Sequence, residues 1–344
     1  MIKKTIAVYL AILAAILFFD VHVPELSDLL PQQKTHESVQ PTDTSEPTPG
    51  VAAVRLGDRF VCLGDDLQTV LSRFGEAVDV LPSEYGFSWY IFHENYQNYI
   101  QIGMAEDRVV GIYTNAPHFE VLGITPGMTR DDVRLLAGDL VFYIEKADGR
   151  YQTMSEDTPV NEGDLFFAEN AYIHVFYDMF KNDSVTSVNI IARETEIGFS
   201  RLYGEASPQL AESFARQSYY VANALRVREG VKAFVWSDAL CVPAKGHAVD
   251  MAKNNYFSHD GMDGRRVKER IEDAGISFRR CGENLAMGAQ NALIMHELLM
   301  NSEGHRKNLL TDFQYMGVGV SFREDNAPFL VQNFMTPPVT AIIG

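Results

Sequence analysis

Cysteine is scarce in this chain, with three in 344 residues. That is too few for a disulfide framework, so the fold must rest on packed cores. A hydrophobic content of 46% is enough to supply them. Cys62 stands alone in the middle region. Cys241 and Cys281 could pair in an oxidising compartment, but the sequence does not set the geometry that a bridge demands. Free buried cysteines are the expectation.

Positive charge is also in short supply. Lys and Arg number 29 against 46 Asp and Glu, a net charge of −17. This balance argues against nucleic acid or an anionic lipid surface as partner. The deficit lies in one half. Residues 207–344 carry 15 basic and 15 acidic side chains, so the remaining 14 and 31 fall within residues 1–206. Two differently charged halves suggest two domains, which the length accommodates. The acid in the first half reads as a solubility device. Two catalytic signatures are missing as well. There is no His-Glu-x-x-His of a helical zinc peptidase and no G-x-S-x-G of a serine hydrolase.

Long apolar runs are absent but for one. Thr5 to Phe19 is uninterrupted, about 15 residues against the roughly 20 that span a bilayer. Lys3 and Lys4 precede it, and no A-x-A-like site follows. Residues 1–23 are therefore expected to be an uncleaved signal anchor, with a cleaved signal peptide as the alternative. The lysines would stay inside and the rest of the chain would lie outside, on the membrane or secreted. Residues 24–54, rich in Pro, Thr, Ser and Glu, read as a disordered linker.

Residues 55–203 contain a repeat. Gly64-x-Asp66-x-x-x-Val70-x-x-x-x-Gly75 matches Gly127-x-Thr129-x-x-x-Val133-x-x-x-x-Gly138 without a gap. Asp66 and Thr129 each predict an N-cap, and the closing glycines predict helix ends. Strand-like runs follow each helix: Phe87–Phe92, Asn98–Ile102 and Arg108–Tyr113, then Ala171–Tyr177 and Val185–Ile191. One antiparallel sheet with helices on one face is expected. His93, His118 and His174 are scattered and read as surface or strand histidines.

Residues 207–340 form the second domain. Ser207-Pro208 starts a long helix with a stripe of Phe214, Val221, Leu225 and Val227, ended by Gly230. Ser237 caps the next, which carries Ala244, His247, Ala248 and Met251 on one face; His247 reads as a satisfied core histidine. Phe313–Phe322 and Pro328–Phe334 read as strands. Helices and strands interleave, so the class is α+β. Three motifs stand out: His247 to His259, Cys281-Gly282-Glu283-Asn284-Leu285, and Ser302-Glu303-Gly304-His305-Arg306. Met287, Met295, Met300, Met316 and Phe313 read as core, and Arg306 and Asn308 as loop caps or rim.

At these motifs, with Asn223-x-x-Arg226, Trp236 and Gln332-Asn333-Phe334, the chain resembles the bacterial form of the CAP superfamily (cysteine-rich secretory proteins, antigen 5, pathogenesis-related 1). Residues 55–203 resemble the domain that often precedes CAP domains in Gram-positive bacteria, which implies such a source. The resemblance implies a three-layer α-β-α sandwich around an antiparallel sheet. It also implies a cavity of two histidines and two glutamates. Carried over, these are His259, His305 and Glu283, with Ser302 in the second carboxylate position and Asn284 beside Glu283. Glu297 and Glu303 lie nearby without matching.

His259 and His305 with Glu283 could hold a divalent metal such as zinc, and Glu283 is then the candidate base of a metal-assisted hydrolase. A Glu283–histidine pair would equally satisfy two buried groups with no chemistry at all. A Cys281–histidine dyad is opposed by the adjacent carboxylate, which raises the thiol pKa. The incomplete tetrad favours a non-enzymatic module that binds a lipid, glycan or protein at the cell surface.

Overall fold

The computed structural model describes residues 50–147, 149–152 and 163–338. The expected anchor, 1–23, and nearly all of the linker lie outside them. Among the described residues no helix is long and apolar enough to cross a membrane. Strand β1 begins at Ala53, so the last two residues of the expected 24–54 linker belong to the fold: Val54 pairs with Val61 and is buried.

The repeat folds as the caps predict. Helix α1 (Leu67–Phe74) is capped by Asp66, whose side chain accepts from Thr69 N at 2.7 Å, and closes at Gly75 with φ 79°. Helix α2 (Arg130–Ala137) carries a reciprocal Thr129–Asp132 capping box and closes at Gly138 with φ 84°. Only glycine adopts such backbone angles without strain. The single buried residue of each helix is the shared valine, Val70 or Val133.

Seven strands build the main sheet: β3 (Asp79–Pro82), β4 (Ser88–Glu94), β5 (Gln97–Ala105), β6 (Arg108–Thr114), β10 (Asp164–Ala168), β11 (Ala171–Asp178) and β12 (Ser184–Ala192). Their order is β10-β11-β12-β6-β5-β4-β3, so the two copies meet at the antiparallel β6–β12 pair. Strands β3 and β10 had no sequence counterpart among the expected runs. A separate three-stranded sheet joins β1 (Ala53–Leu56), β2 (Arg59–Cys62) and β7 (Phe119–Glu120), and β8 (Tyr143–Lys146) pairs with β9 (Gly149–Gln152). Strand alternation divides the main sheet into two faces. Ile100, Ile102, Ile112, Val188 and Ile190 pack under Val70 and Val133. Both repeat helices therefore lie on one face. His93, His118 and His174 sit on β4, the loop before β7, and β11.

The opposite face, with Trp89, Ile91, Tyr99, Tyr113 and Ile191, shares a core with helix α4 (Pro208–Arg228). Fourteen of the 21 residues of α4 are buried, because it also covers the C-terminal sheet. The expected single stripe is thus replaced by burial all round, and Val227, at the end, is only partly buried.

The second sheet has the order β13-β15-β16-β14, from β13 (Val235–Trp236), β14 (Arg280–Met287), β15 (Tyr315–Phe322) and β16 (Pro328–Thr336). It is antiparallel except for the β13–β15 pair. Helix α5 (Asp238–Asn254) packs on one face through Ala244, Ala248 and Met251 against Leu285, Phe329 and Val331. On the other lie α4, α7 (Ala292–Met300) and α8 (Glu303–Leu310), against Met316, Val318, Leu330 and Phe334. This is the three-layer sandwich. Helices α3 (Arg193–Gly198) and α6 (Val267–Asp273) complete the chain. Met287 departs from the expected core set: it ends the edge strand β14 and is 45% exposed.

Polar contacts cross between the two sheets. Glu297 accepts from the Tyr113 hydroxyl at 2.9 Å and from Ser187 at 2.6 Å. Arg306 donates two bonds to Asp178, 2.8 and 2.9 Å, and a third to the Met300 carbonyl at 3.3 Å, so it bridges the halves as well as capping the end of α7. Glu84, buried after β3, accepts from Asn291 Nδ2 at 2.5 Å.

Two predictions follow from this packing. A Cβ at Gly319 would stand 2.1 Å from Lys245 N, so α5 could not keep its seat. Gly319→Ala should lower stability by about 1–3 kcal/mol in urea unfolding. Burial pushes the Glu84 carboxyl up from 4.5 to about 7. The folded state therefore holds a proton that the unfolded chain releases above pH 4.5, a contribution complete below that pH and lost by about pH 7. Glu84→Gln should match the wild type at pH 4.5 and be the more stable at pH 8 in paired urea titrations.

Candidate functional site

Strand β14 lies at the edge of the second sheet, and alternation turns its two central residues to opposite sides. Glu283 faces the side of Leu285, toward α5 and α6. Asn284 faces α8.

Glu283 is buried, its side chain 1% exposed. Its Oε1 stands 2.8 Å from His259 Nδ1, and its Oε2 accepts from Arg270 Nη2 at 2.6 Å. Both carboxylate oxygens are thus engaged. Arg270 Nη1 also donates to the carbonyls of Arg265, 2.6 Å, and His259, 3.1 Å, which ties the 259–265 loop to α6. Asn284 Nδ2 donates to the His305 carbonyl at 3.2 Å and to Gln332 Oε1 at 3.0 Å. Asn308 Nδ2 donates to the Glu283 carbonyl and to Asn284 Oδ1, at 3.1 and 2.9 Å. Asn308 is therefore an internal tie of the site.

His305 lies on α8, partly buried, and burial with the nearby His259 imidazole holds it below its ordinary pKa. Ser302 is the N-cap of α8, although its hydroxyl makes no capping bond. The structure thus gathers His259, Glu283, Asn284 and His305, with Ser302 one turn ahead of His305. Glu297 turns away to the N-terminal sheet, and Glu303 is exposed. His247 is buried and only half satisfied: Nε2 meets the Ser258 carbonyl at 2.9 Å, while Nδ1 has no partner among the described residues. Among the described residues no disulfide joins the three cysteines; Cys62 is buried and the other two are partly buried. Burial pushes the Cys281 thiol up, with Glu272 adding to it, which opposes a thiolate there.

Arg270 is the site residue that sequence reasoning missed. A buried carboxylate needs a counter-charge. That signal was legible, but six basic residues stand between His259 and Glu283, and only α6 selects which one reaches. The arginine bears on Glu283 as a metal ligand. A guanidinium 2.6 Å from Glu283 occupies the oxygen a cation would need and repels it. Among the described residues no group of three or more His, Cys, Asp and Glu is arranged to hold a metal ion. Glu283 itself is thus a poor metal ligand, and His259, bound to it through Nδ1, keeps Nε2 as the nitrogen a zinc ion would meet near His305. Breaking the Arg270–Glu283 pair leaves a buried charge alone, so Arg270→Ala should cost about 3–5 kcal/mol in urea unfolding.

The description "CAP-associated N-terminal" matches residues 63–201, and "Cysteine-rich secretory protein family" matches residues 219–334. The membrane protein YlbC of Bacillus subtilis is 25% identical over 330 residues, covering 91% of this chain and 92% of that protein. An extracellular protein containing an SCP domain from Bacillus anthracis superposes with a TM-score of 0.69 at 29% identity, covering 80% of this chain and 93% of that one. A cysteine-rich secretory protein from Staphylococcus aureus shares the fold, with a TM-score of 0.65 at 18% identity over 79% of this chain and 93% of that one. Two matched regions in this order, on a three-layer sandwich behind a repeat sheet, place the chain in the CAP superfamily, as a CAP domain with a CAP-associated domain ahead of it.

Proposed function

We propose that this is a non-enzymatic binding module on the outer face of the cell membrane, held there by its N-terminal segment, whose CAP domain engages a surface ligand. One observation carries the reading. Both oxygens of Glu283 are engaged, one by His259 and one by the Arg270 guanidinium, so the carboxylate is held in a buried pair. The membrane protein named among the relatives and the extracellular SCP-domain structure support the location. The metal-assisted hydrolase has the adjacency of His259 and His305 in its favour. It requires Glu283 to be released from Arg270, which the buried pair opposes.

The test is the metal content and zinc titration of the full-length protein beside a His259→Ala/His305→Ala variant. The expected result is no stoichiometric metal in either, with the double variant folded. Stoichiometric zinc that disappears in the double variant would overturn the reading.

A further inference from the structure

The loop and helix that deliver His259 and Arg270 also wall a second space. Helices α5 and α6, with the loop between them, enclose a cleft of about 530 Å³. Small-molecule sites run from about 300 to 1,000 Å³. Two lining residues carry unused hydrogen-bonding capacity. His247 is 2% exposed, and its Nε2 lies 2.9 Å from a carbonyl oxygen, a contact that requires the proton on Nε2. Burial and the neighbouring Arg270 hold the ring below its ordinary pKa, and Nδ1, the nitrogen left to accept, is buried with no partner among the described residues. Arg270 spends both terminal nitrogens on Glu283 and two carbonyls, and its Nε is a buried donor with no partner among the described residues. Unmet groups of this kind cost about 1–3 kcal/mol each unless water or a ligand answers them.

The rim adds an apolar requirement. Met262 and Val242 are 70% and 68% exposed. Charge adds another. The lining carries Asp250, Asp263 and Asp273 against Arg265 and Arg270, a balance that disfavours an anion. Arg265 pairs with both Asp263 and Asp273, and Asp250 accepts from the Tyr256 hydroxyl, so a cation gains little either. The lining thus suits an uncharged ligand that carries a donor, an acceptor and a small apolar group.

We propose that this cleft binds the secondary amide of an N-acylated compound, with its N–H donated to His247 Nδ1, its carbonyl accepting from Arg270 Nε, and its acyl group against Met262 and Val242. The proposal rests on the binding-module reading above and names a ligand class for it. The amide can come from an N-acetylated sugar or from an N-acylated peptide.

The test titrates full-length protein in detergent with tri-N-acetylchitotriose, with N-acetyl-alanine methylamide, and with the deacetylated trisaccharide. A Cβ at Gly246 meets nothing within 4 Å, so Gly246→Leu fills the cleft without disturbing the core. One acylated probe should bind the wild type and bind Gly246→Leu about tenfold or more weakly at unchanged Tm. The arm that binds identifies the source. Should Gly246→Leu lower Tm, Met262→Asp takes its place with the same expectation. No binding by either acylated probe, equal binding by the blocked variant, or equal binding of the deacetylated sugar would each overturn the assignment. The probe recovered intact agrees with a binding module; a cleaved probe would sink that reading and leave the cleft assignment standing.

Discussion

Helix α4 is the member on which the rest of the structure depends. Two sheets each have a face to cover, and one helix covers both. A surface helix keeps a polar side; this one cannot. Its polar residues are therefore paired inward. Asn223 binds the backbone of Phe234 through both ends of its amide. Arg226 is 1% exposed and serves four carbonyls, those of Lys232, Leu309, Thr311 and Phe313. Ser218 accepts from Gln332 on the sheet below. Each pairing fixes α4 against a particular strand or loop, so the helix has one register and the two sheets have one relation. Burying polar groups without such partners would have cost more than the packing gained.

The same constraint shapes the site. Glu283 is inside because β14 must present Leu285 to α5, and the residue two positions earlier shares that face. Once inside, the carboxylate needs charge and hydrogen bonds. Arg270 supplies the first and His259 the second, and the guanidinium then holds the loop that carries the histidine. The carboxylate is thereby held from both sides. The free capacity is one helix over, at His247 Nδ1 and Arg270 Nε.

Much of this was legible in the sequence, and the boundary has a physical cause. Local signals held. The Asp66 and Thr129 caps, the closing glycines, the Ser207-Pro208 start and the Ser237 cap all act within four residues, so the chain states them directly. The motif order gave the CAP sandwich. What was not legible required three dimensions. Glu297 belongs to Tyr113 and Ser187, more than a hundred residues away, and Arg306 belongs to Asp178. Arg270 was one of six candidate cations. The double burial of α4 was invisible because its second face meets a domain whose sheet had first to be assembled. Strands β3 and β10 were too short to register as runs.

The repeat sheet has a further meaning. Its two copies touch through β6 and β12, antiparallel, with Ile112 opposite Ile190 at the centre of the seam. A single copy would present that strand as a bare edge, apolar on one side and lined with unmade backbone bonds. Such an edge is satisfied by a second identical edge running the other way, which is the geometry of a two-fold dimer. The acidic half of this chain thus holds, within one polypeptide, the strand pairing of a two-fold dimer. The shared sheet gives one face to the repeat helices and the other to α4.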